Sequence, residues 1–141
     1  MKIVLFTFYY PPDISAGSFR MIALAESLIK KLNNNDELHI ITTHPSRYKS
    51  HKVIAKDIEI NDKIIIHRIK VPNHYNSMFS QAYMYIIYAF SAYKVSKKIN
   101  PIFIIGSTSR LMTGLLAGFS SWRLGCKYFI DLRDIFSETI S

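Results

Sequence analysis

Gly17 and Ser18 stand where a buried strand gives way to a helix, in the part of the chain best suited to binding chemistry. An uninterrupted apolar run over residues 3–8 leads to two prolines, to these two small residues and then to a helical repeat. The first N–H groups of a helix have no intrahelical acceptor, so they can hold an anion, and a glycine allows close approach. We interpret the segment as a phosphate-contacting turn; a purely structural turn capped by Ser18 has the same composition.

The familiar catalytic and nucleotide-binding motifs are absent. Neither G-x-G-x-x-G nor G-x-x-x-x-G-K-[ST] occurs in the sequence, which argues against a dinucleotide fingerprint and a P-loop. The five histidines lack metal-ligand spacing, so we expect no metal site. Serine hydrolase chemistry is also disfavoured, because Ser107 and Ser109 have no nucleophile-elbow pattern around them.

Other polar side chains follow later apolar runs and form a second group of candidates. The carboxyl ends of parallel strands meet at one edge of an open sheet, where such folds bind ligands. We call this the carboxyl edge; it comprises residues 11–18, 106–110 and 131–134. Its candidate ligand contacts are Asp13, Gly17, Ser18, Ser107, Ser109, Arg110, Arg133 and Asp134.

Alternating strand and helix patterns must position these residues. Continuous apolar runs predict strands over residues 3–8, 38–42, 64–71, 102–105 and 128–132, and periodic apolar residues predict helices over 18–32, 78–99 and 111–124. Residues 43–62 are polar and give no clear prediction. The alternation predicts an α/β fold, an open parallel sheet with helices on both faces and strand order 3-2-1-4-5.

The helix over residues 78–99 is aromatic and carries no charge before Lys94. A membrane-spanning helix, a helix packed on the sheet and a helix lying on a membrane surface all fit this composition. Serines and tyrosines favour packing on the sheet. A membrane contact would be expected to use Tyr85, Tyr88, Lys94, Lys97 or Lys98.

Length and charge narrow the functional classes. The 141 residues suit a single domain, and the net charge of +8 suits an anionic partner. We expect no nucleic-acid binding, because no recognition-helix or RNA-binding aromatic motif is present. The single cysteine, Cys126, and the lack of a secretory leader pattern predict a cytoplasmic protein, with an optional peripheral contact at the inner membrane face.

Two segments resemble a known family. The two segments are YYPPDISAGSFRMIALAESL and GSTSRLMTGLLAGFSSWRLGCKYFIDLRDIFSET. Both look like parts of the N-terminal domain of family 4 glycosyltransferases, the retaining GT-B class. The likeness is closest to bacterial surface-polysaccharide transferases. It extends over nearly the whole chain in element order, while residues 43–76 add little to it.

The resemblance implies an enzyme that moves a sugar from a nucleotide-sugar donor to a glycan or lipid-linked acceptor, without a further cofactor. The N-terminal domain of that family mainly receives the acceptor, and its first glycine-containing loop, matched here by Gly17 and Ser18, reaches the donor pyrophosphate. Many members have His-Asp after the fifth strand, where this chain has Arg133-Asp134. Asp134 is then the candidate catalytic contact, and Arg133 cannot serve as a general base because arginine stays protonated.

The resemblance also implies a missing part. The family's donor-binding C-terminal domain and its acidic motif lie outside these 141 residues, and a complete enzyme needs roughly two to three times this length. We expect residues 1–141 to be one Rossmann-like domain, a fragment inactive by itself. The alternative function is a non-catalytic α/β module that binds a nucleotide or phosphorylated metabolite at the same edge.

Overall fold

Six strands and three helices alternate along the chain. The computed structural model describes residues 1–45, 54–72, 77–108 and 111–132. In chain order the elements are β1 (Lys2–Phe6), α1 (Ala16–Ile29), β2 (Glu37–Thr43), β3 (Ile58–Asn61), β4 (Ile64–Ile69), α2 (Met78–Ile99), β5 (Phe103–Ser107), α3 (Leu111–Leu124) and β6 (Lys127–Asp131).

The strands form one sheet in the order β3-β4-β2-β1-β5-β6. Every neighbouring pair is parallel except β3 with β4. The five strands predicted from the sequence are β1, β2, β4, β5 and β6, and their predicted order is confirmed. The sixth strand, β3, was not predicted. It adds an antiparallel edge to β4 through a tight turn in which Asp62 adopts a positive φ of 50°.

Helices cover both faces of the sheet, as the sequence predicts. One apolar cluster joins α1, through Met21, to Leu5 and Ile40 on the strands. The other joins α2 and α3, through Tyr88 and Leu116, to strand residues such as Phe6. Because β1 is buried on both faces, its sequence is continuously apolar rather than alternating.

The helix boundaries follow recognisable end residues. Helices α2 and α3 have the predicted bounds, and left-handed residues follow both: Asn100 with φ 54° and Gly125 with φ 66°. The predicted start of α1 is wrong by two residues. Ser15, not Ser18, is the N-cap, and the helix begins at Ala16.

Helix α2 packs on the sheet and leaves part of its aromatic surface exposed. Tyr88 is fully buried and Tyr85 is 7% exposed, whereas Tyr83 is 62% exposed. The expectation that Tyr85 and Tyr88 would contact a membrane is therefore wrong, because their rings face the sheet cluster. Each described helix is too short or too polar to bridge a bilayer.

Candidate functional site

The strand order reverses between β1 and β5. From β1 the chain proceeds to β2 and β4 on one side, and from β5 to β6 on the other. Strands β1 and β5 are parallel neighbours, with Phe6 paired to Gly106, so their carboxyl ends lie side by side. Open α/β sheets bind ligands outside the strand ends at such a reversal. The carboxyl edge of this sheet therefore has the topology of a binding site.

The N-terminus of α1 follows the turn after β1 and carries N–H groups that no residue of the helix can accept from. The hydroxyl of Ser15 accepts a hydrogen bond from the Ser18 N–H at 3.1 Å and lies 3.1 Å from the Ser18 hydroxyl. Ser18 is thus engaged in capping. The N–H groups of Ala16 and Gly17 have no acceptor within the helix. Together with the helix dipole, they make the first turn of α1 attractive to an anion.

Ser107 places a buried hydroxyl at the end of β5. Its side chain is fully buried, and its Oγ has no hydrogen-bond partner among the described residues. Ile105, two residues earlier, packs in the α1 cluster, so alternation along the strand puts Ser107 on the α1 face. An unsatisfied buried hydroxyl is costly. A ligand oxygen at this edge would give it a partner.

Thr108 ties the ends of β5 and β6 together. Its N–H and its hydroxyl both donate to the carbonyl oxygen of Asp131, at 3.1 and 3.0 Å. Ser107 and Asp131 are register partners. The last residues of these two strands are therefore held at the same level of the edge.

An ion pair joins α1 to the end of β6. The Nη2 of Arg20 donates to Oδ1 of Asp131 at 2.6 Å, and its Nε donates to Oδ2 at 3.2 Å. Arg20 was not a predicted site residue. Its position one helical turn after Gly17 is the feature of the sequence that could have indicated it, because residues three apart share a helix face.

Tyr88 of α2 braces the strand ends from the opposite face. Its hydroxyl lies 3.0 Å from the carbonyl oxygen of Thr7 and 2.9 Å from that of Ile41, and the side chain is fully buried. Burial raises the pKa of the Tyr88 hydroxyl well above its usual value, so it remains a hydrogen-bond donor. Thr7, which follows β1, and Ile41 of β2 are thereby held together.

The remaining predicted site residues are placed as follows. Asp13 lies in the turn after β1, is 7% exposed and donates its N–H to the Tyr10 carbonyl oxygen at 3.2 Å. Ser109, Arg110, Arg133 and Asp134 lie outside the described residues. In the described part of the chain, no group of three or more potential metal ligands is found.

A cavity of about 770 Å³ touches only the prolines at the start of the predicted phosphate turn. Its lining includes Tyr10, Pro11, Ile22 and Arg68, but neither Gly17 nor Ser18. Arg68 donates to the carbonyl oxygen of Pro11 at 2.9 Å and to the carboxylate of Glu59 at 2.8 Å. The cavity therefore lies between α1 and the β3–β4 hairpin, beside the carboxyl edge rather than at the strand reversal.

The chain matches no protein-family model and no curated protein sequence. The glycosyltransferase resemblance therefore stays a prediction from the residues.

Proposed function

We propose that this chain is the acceptor-side domain of a glycosyltransferase that transfers a sugar from a nucleotide-sugar to a glycan or lipid-linked acceptor. Two lines support the proposal: the resemblance of the two quoted segments to family 4 glycosyltransferases, and the fold. An open parallel sheet with helices on both faces is what that resemblance implies. Like the activity itself, a cytoplasmic location is part of the proposal.

One geometric observation carries the proposal. The Ala16 and Gly17 N–H groups, which have no acceptor within α1, and the Ser107 hydroxyl, which has no partner among the described residues, belong to the same face of the sheet and the same edge. A diphosphate at this edge would accept hydrogen bonds from the N–H groups directly, and from Ser107 once the side chains that cover its fully buried hydroxyl move aside. In sugar transfer the departing diphosphate gains negative charge, and preoriented donors stabilise such charge without reorganisation.

Binding of an anion to the first turn of α1 is the first test. Inorganic pyrophosphate is titrated into the 141-residue chain, and backbone amide shifts are followed by NMR. We expect the Ala16 and Gly17 amides to shift most, and Gly17→Val to abolish the shift by blocking approach. Gly118→Ala is the matched control, because a methyl group there meets no atom of the described residues within 4 Å beyond its own helix.

Two results would contradict this part of the proposal. One is the absence of any shift at Ala16 and Gly17 in the unaltered chain. The other is undiminished pyrophosphate binding by a Gly17→Val variant whose circular dichroism and unfolding midpoint match the unaltered chain.

Transfer itself is tested with a donor-binding domain present, joined to the chain or added to it. Radiolabelled nucleotide-sugars and a lipid-linked acceptor serve as substrates. We expect Gly17→Val to reduce turnover about 100-fold, the order of loss seen when one oxyanion donor is removed. Unchanged turnover would show that Gly17 is not part of the site.

A non-catalytic module that binds a nucleotide or phosphorylated metabolite is the second candidate. The first turn of α1 supports this function equally, because anion binding at a helix N-terminus needs no catalytic group. Pyrophosphate binding without transfer to any acceptor, in the presence of a donor-binding domain, would select this function.

A further inference from the structure

Helix α2 exposes a stripe of large apolar side chains. They are spaced four, three and four residues apart, which places them on one side of the helix. Each is at least 60% exposed, and they are Phe79, Tyr83, Ile86 and Phe90. The opposite side of α2, with Met84, packs on the sheet. The exposed stripe is therefore not needed for the core.

Helix α3 continues this apolar surface. Its exposed apolar residues include Leu111, Leu115, Phe119 and Trp122, each at least half exposed. The rings of Phe119 and Tyr93 lie 5.7 Å apart, so the two helices are in contact. We call the eight residues of the two stripes the α2/α3 face. A contiguous exposed apolar surface of this kind marks an interaction site in a water-facing protein.

Positive charge accompanies the α2/α3 face. Neither helix contains an aspartate or glutamate, and together they carry four basic residues, Lys94, Lys97, Lys98 and Arg123. Two of these lie against exposed rings: Lys94 Nζ is 4.3 Å from the Phe90 ring centre, and the Arg123 guanidinium carbon is 5.9 Å from that of Trp122. The face is thus aromatic, aliphatic and cationic.

Helix α1, which covers the opposite face of the sheet, lacks this combination. It carries both Arg20 and Glu26, and Phe19 is its one large apolar side chain that is strongly exposed. Of the three described helices, only α2 and α3 therefore combine exposed apolar stripes with positive charge and no acidic residue.

We propose that the α2/α3 face docks the protein on an anionic lipid bilayer. Phenylalanine, tryptophan and tyrosine rings enter the boundary between headgroups and acyl chains, while the basic residues meet anionic headgroups. A second copy of the chain is a poorer occupant, because face-to-face pairing would oppose four cations with four cations. A protein docked in this way lies flat on the bilayer surface and needs no membrane-spanning helix.

Trp122 gives a direct measurement of docking, since it is the only tryptophan in the chain and is 75% exposed. The 141-residue chain is mixed with phosphatidylcholine vesicles, with or without 30 mol% phosphatidylglycerol. We expect a blue shift of Trp122 emission and co-flotation with the anionic vesicles, both weakened at high salt. Neutral vesicles should produce a much smaller effect.

Matched variants locate the contact. Lys97→Gln with Lys98→Gln should lower partitioning about 25-fold, since each basic residue near an anionic surface contributes about five-fold. The same double change at Lys30 and Lys31, at the end of α1, should change it less than two-fold. Phe90→Ser should lower partitioning roughly five-fold, and Phe19→Ser, a change of similar exposure on α1, should have little effect.

Three outcomes would overturn the proposal. The first is the absence of flotation and blue shift with anionic vesicles at low salt. The second is equal loss from the α1 and α2 variants, which would indicate nonspecific charge attraction. The third is a concentration-dependent blue shift without vesicles, or binding to RNA with no vesicle response, which would assign the face to a second copy or to a nucleic acid.

Discussion

Arg20 and Asp131, which are 111 positions apart in the chain, form a two-point ion pair at the carboxyl edge of the sheet. Arg20 belongs to the helix that follows β1, and Asp131 ends β6, so the pair spans the strand reversal. It fixes the first turns of α1 relative to the strand ends on the same face. The candidate anion site and the end of β6 are therefore mechanically linked.

This linkage predicts a measurable coupling free energy. Arg20 is about half exposed, so solvent screens the pair, and we expect a coupling of about 0.5–1 kcal/mol in the free energy of unfolding. A double-mutant cycle with Arg20→Gln and Asp131→Asn measures it by urea denaturation.

The Lys2–Glu37 pair is the control for this cycle. Its atoms are 3.9 Å apart and both side chains are well exposed, so its cycle should give a coupling near zero. Equal coupling in the two cycles would show that the two-point geometry at Arg20 adds nothing.

Tyr88→Phe should destabilise the fold although it removes one oxygen atom only. The Tyr88 hydroxyl is buried between the carbonyl oxygens of Thr7 and Ile41. Its loss leaves a buried carbonyl without this donor, at an expected cost of about 1–2 kcal/mol in unfolding free energy. Tyr83→Phe, on the exposed side of the same helix, should cost less than about 0.5 kcal/mol. Similar costs at both positions would contradict the bracing role of Tyr88.

Two glycines near α3 should respond in opposite directions to alanine. A methyl group on Gly106 would lie 2.6 Å from the Ala117 Cβ and 3.2 Å from the Thr113 carbonyl oxygen. We expect Gly106→Ala to lower the free energy of unfolding by about 1–3 kcal/mol.

Gly118→Ala places its methyl group in open space within the helix. This change should raise stability by about 0.5–1 kcal/mol, because glycine is a poor helix residue. Thermal unfolding of both variants checks the pair, and stabilisation by Gly106→Ala would show that α3 does not pack closely on β5.

The sequence predicted the central strands well because burial on both faces leaves continuous apolar runs, as in β1 and β5. It did not predict β3, since an edge strand of four residues, partly polar and largely exposed, resembles a loop. The start of α1 was misplaced because Ser15 and Ser18 are both good N-cap residues, and only the hydrogen bond between them distinguishes their roles.

Tertiary contacts also determine which side chains are buried and paired, and sequence periodicity could not predict this. Helix α2 is apolar around most of its circumference, so sequence pattern alone did not separate buried Tyr88 from exposed Tyr83. The position of the carboxyl edge could be predicted, because it depends on strand order. The pairing of Arg20 with Asp131 depends on side-chain reach across the strand reversal, which no local pattern encodes.

We expect the fold to lose stability in mild acid, because of the contacts that His39 and His67 make. Their ring nitrogens, Nδ1 of His39 and Nε2 of His67, lie 3.1 Å apart, and His39 Nε2 lies 3.1 Å from the Glu37 carboxylate. Both of these hydrogen bonds form when neutral His39 donates from Nε2 to Glu37 and accepts at Nδ1 from His67. Protonating both rings would place two donors against each other.

Burial is the main cause that lowers the pKa of both histidines below 6.5. The nearby Glu37 opposes the shift at His39, and Lys2 adds to it. The unfolded chain therefore binds more protons than the folded chain as the pH falls through about 6.5. The free energy of unfolding should decrease from about pH 7 to pH 5.

Urea denaturation at pH 7.5, 6.5, 5.5 and 5.0 measures this loss. The double change His39→Gln and His67→Gln removes both titrating rings, so its unfolding free energy should fall less steeply over the same interval, even if it is lower at pH 7.5. Ring-nitrogen NMR should show His39 with its proton on Nε2 at neutral pH. Parallel pH profiles for the two proteins would assign the acid sensitivity to other groups.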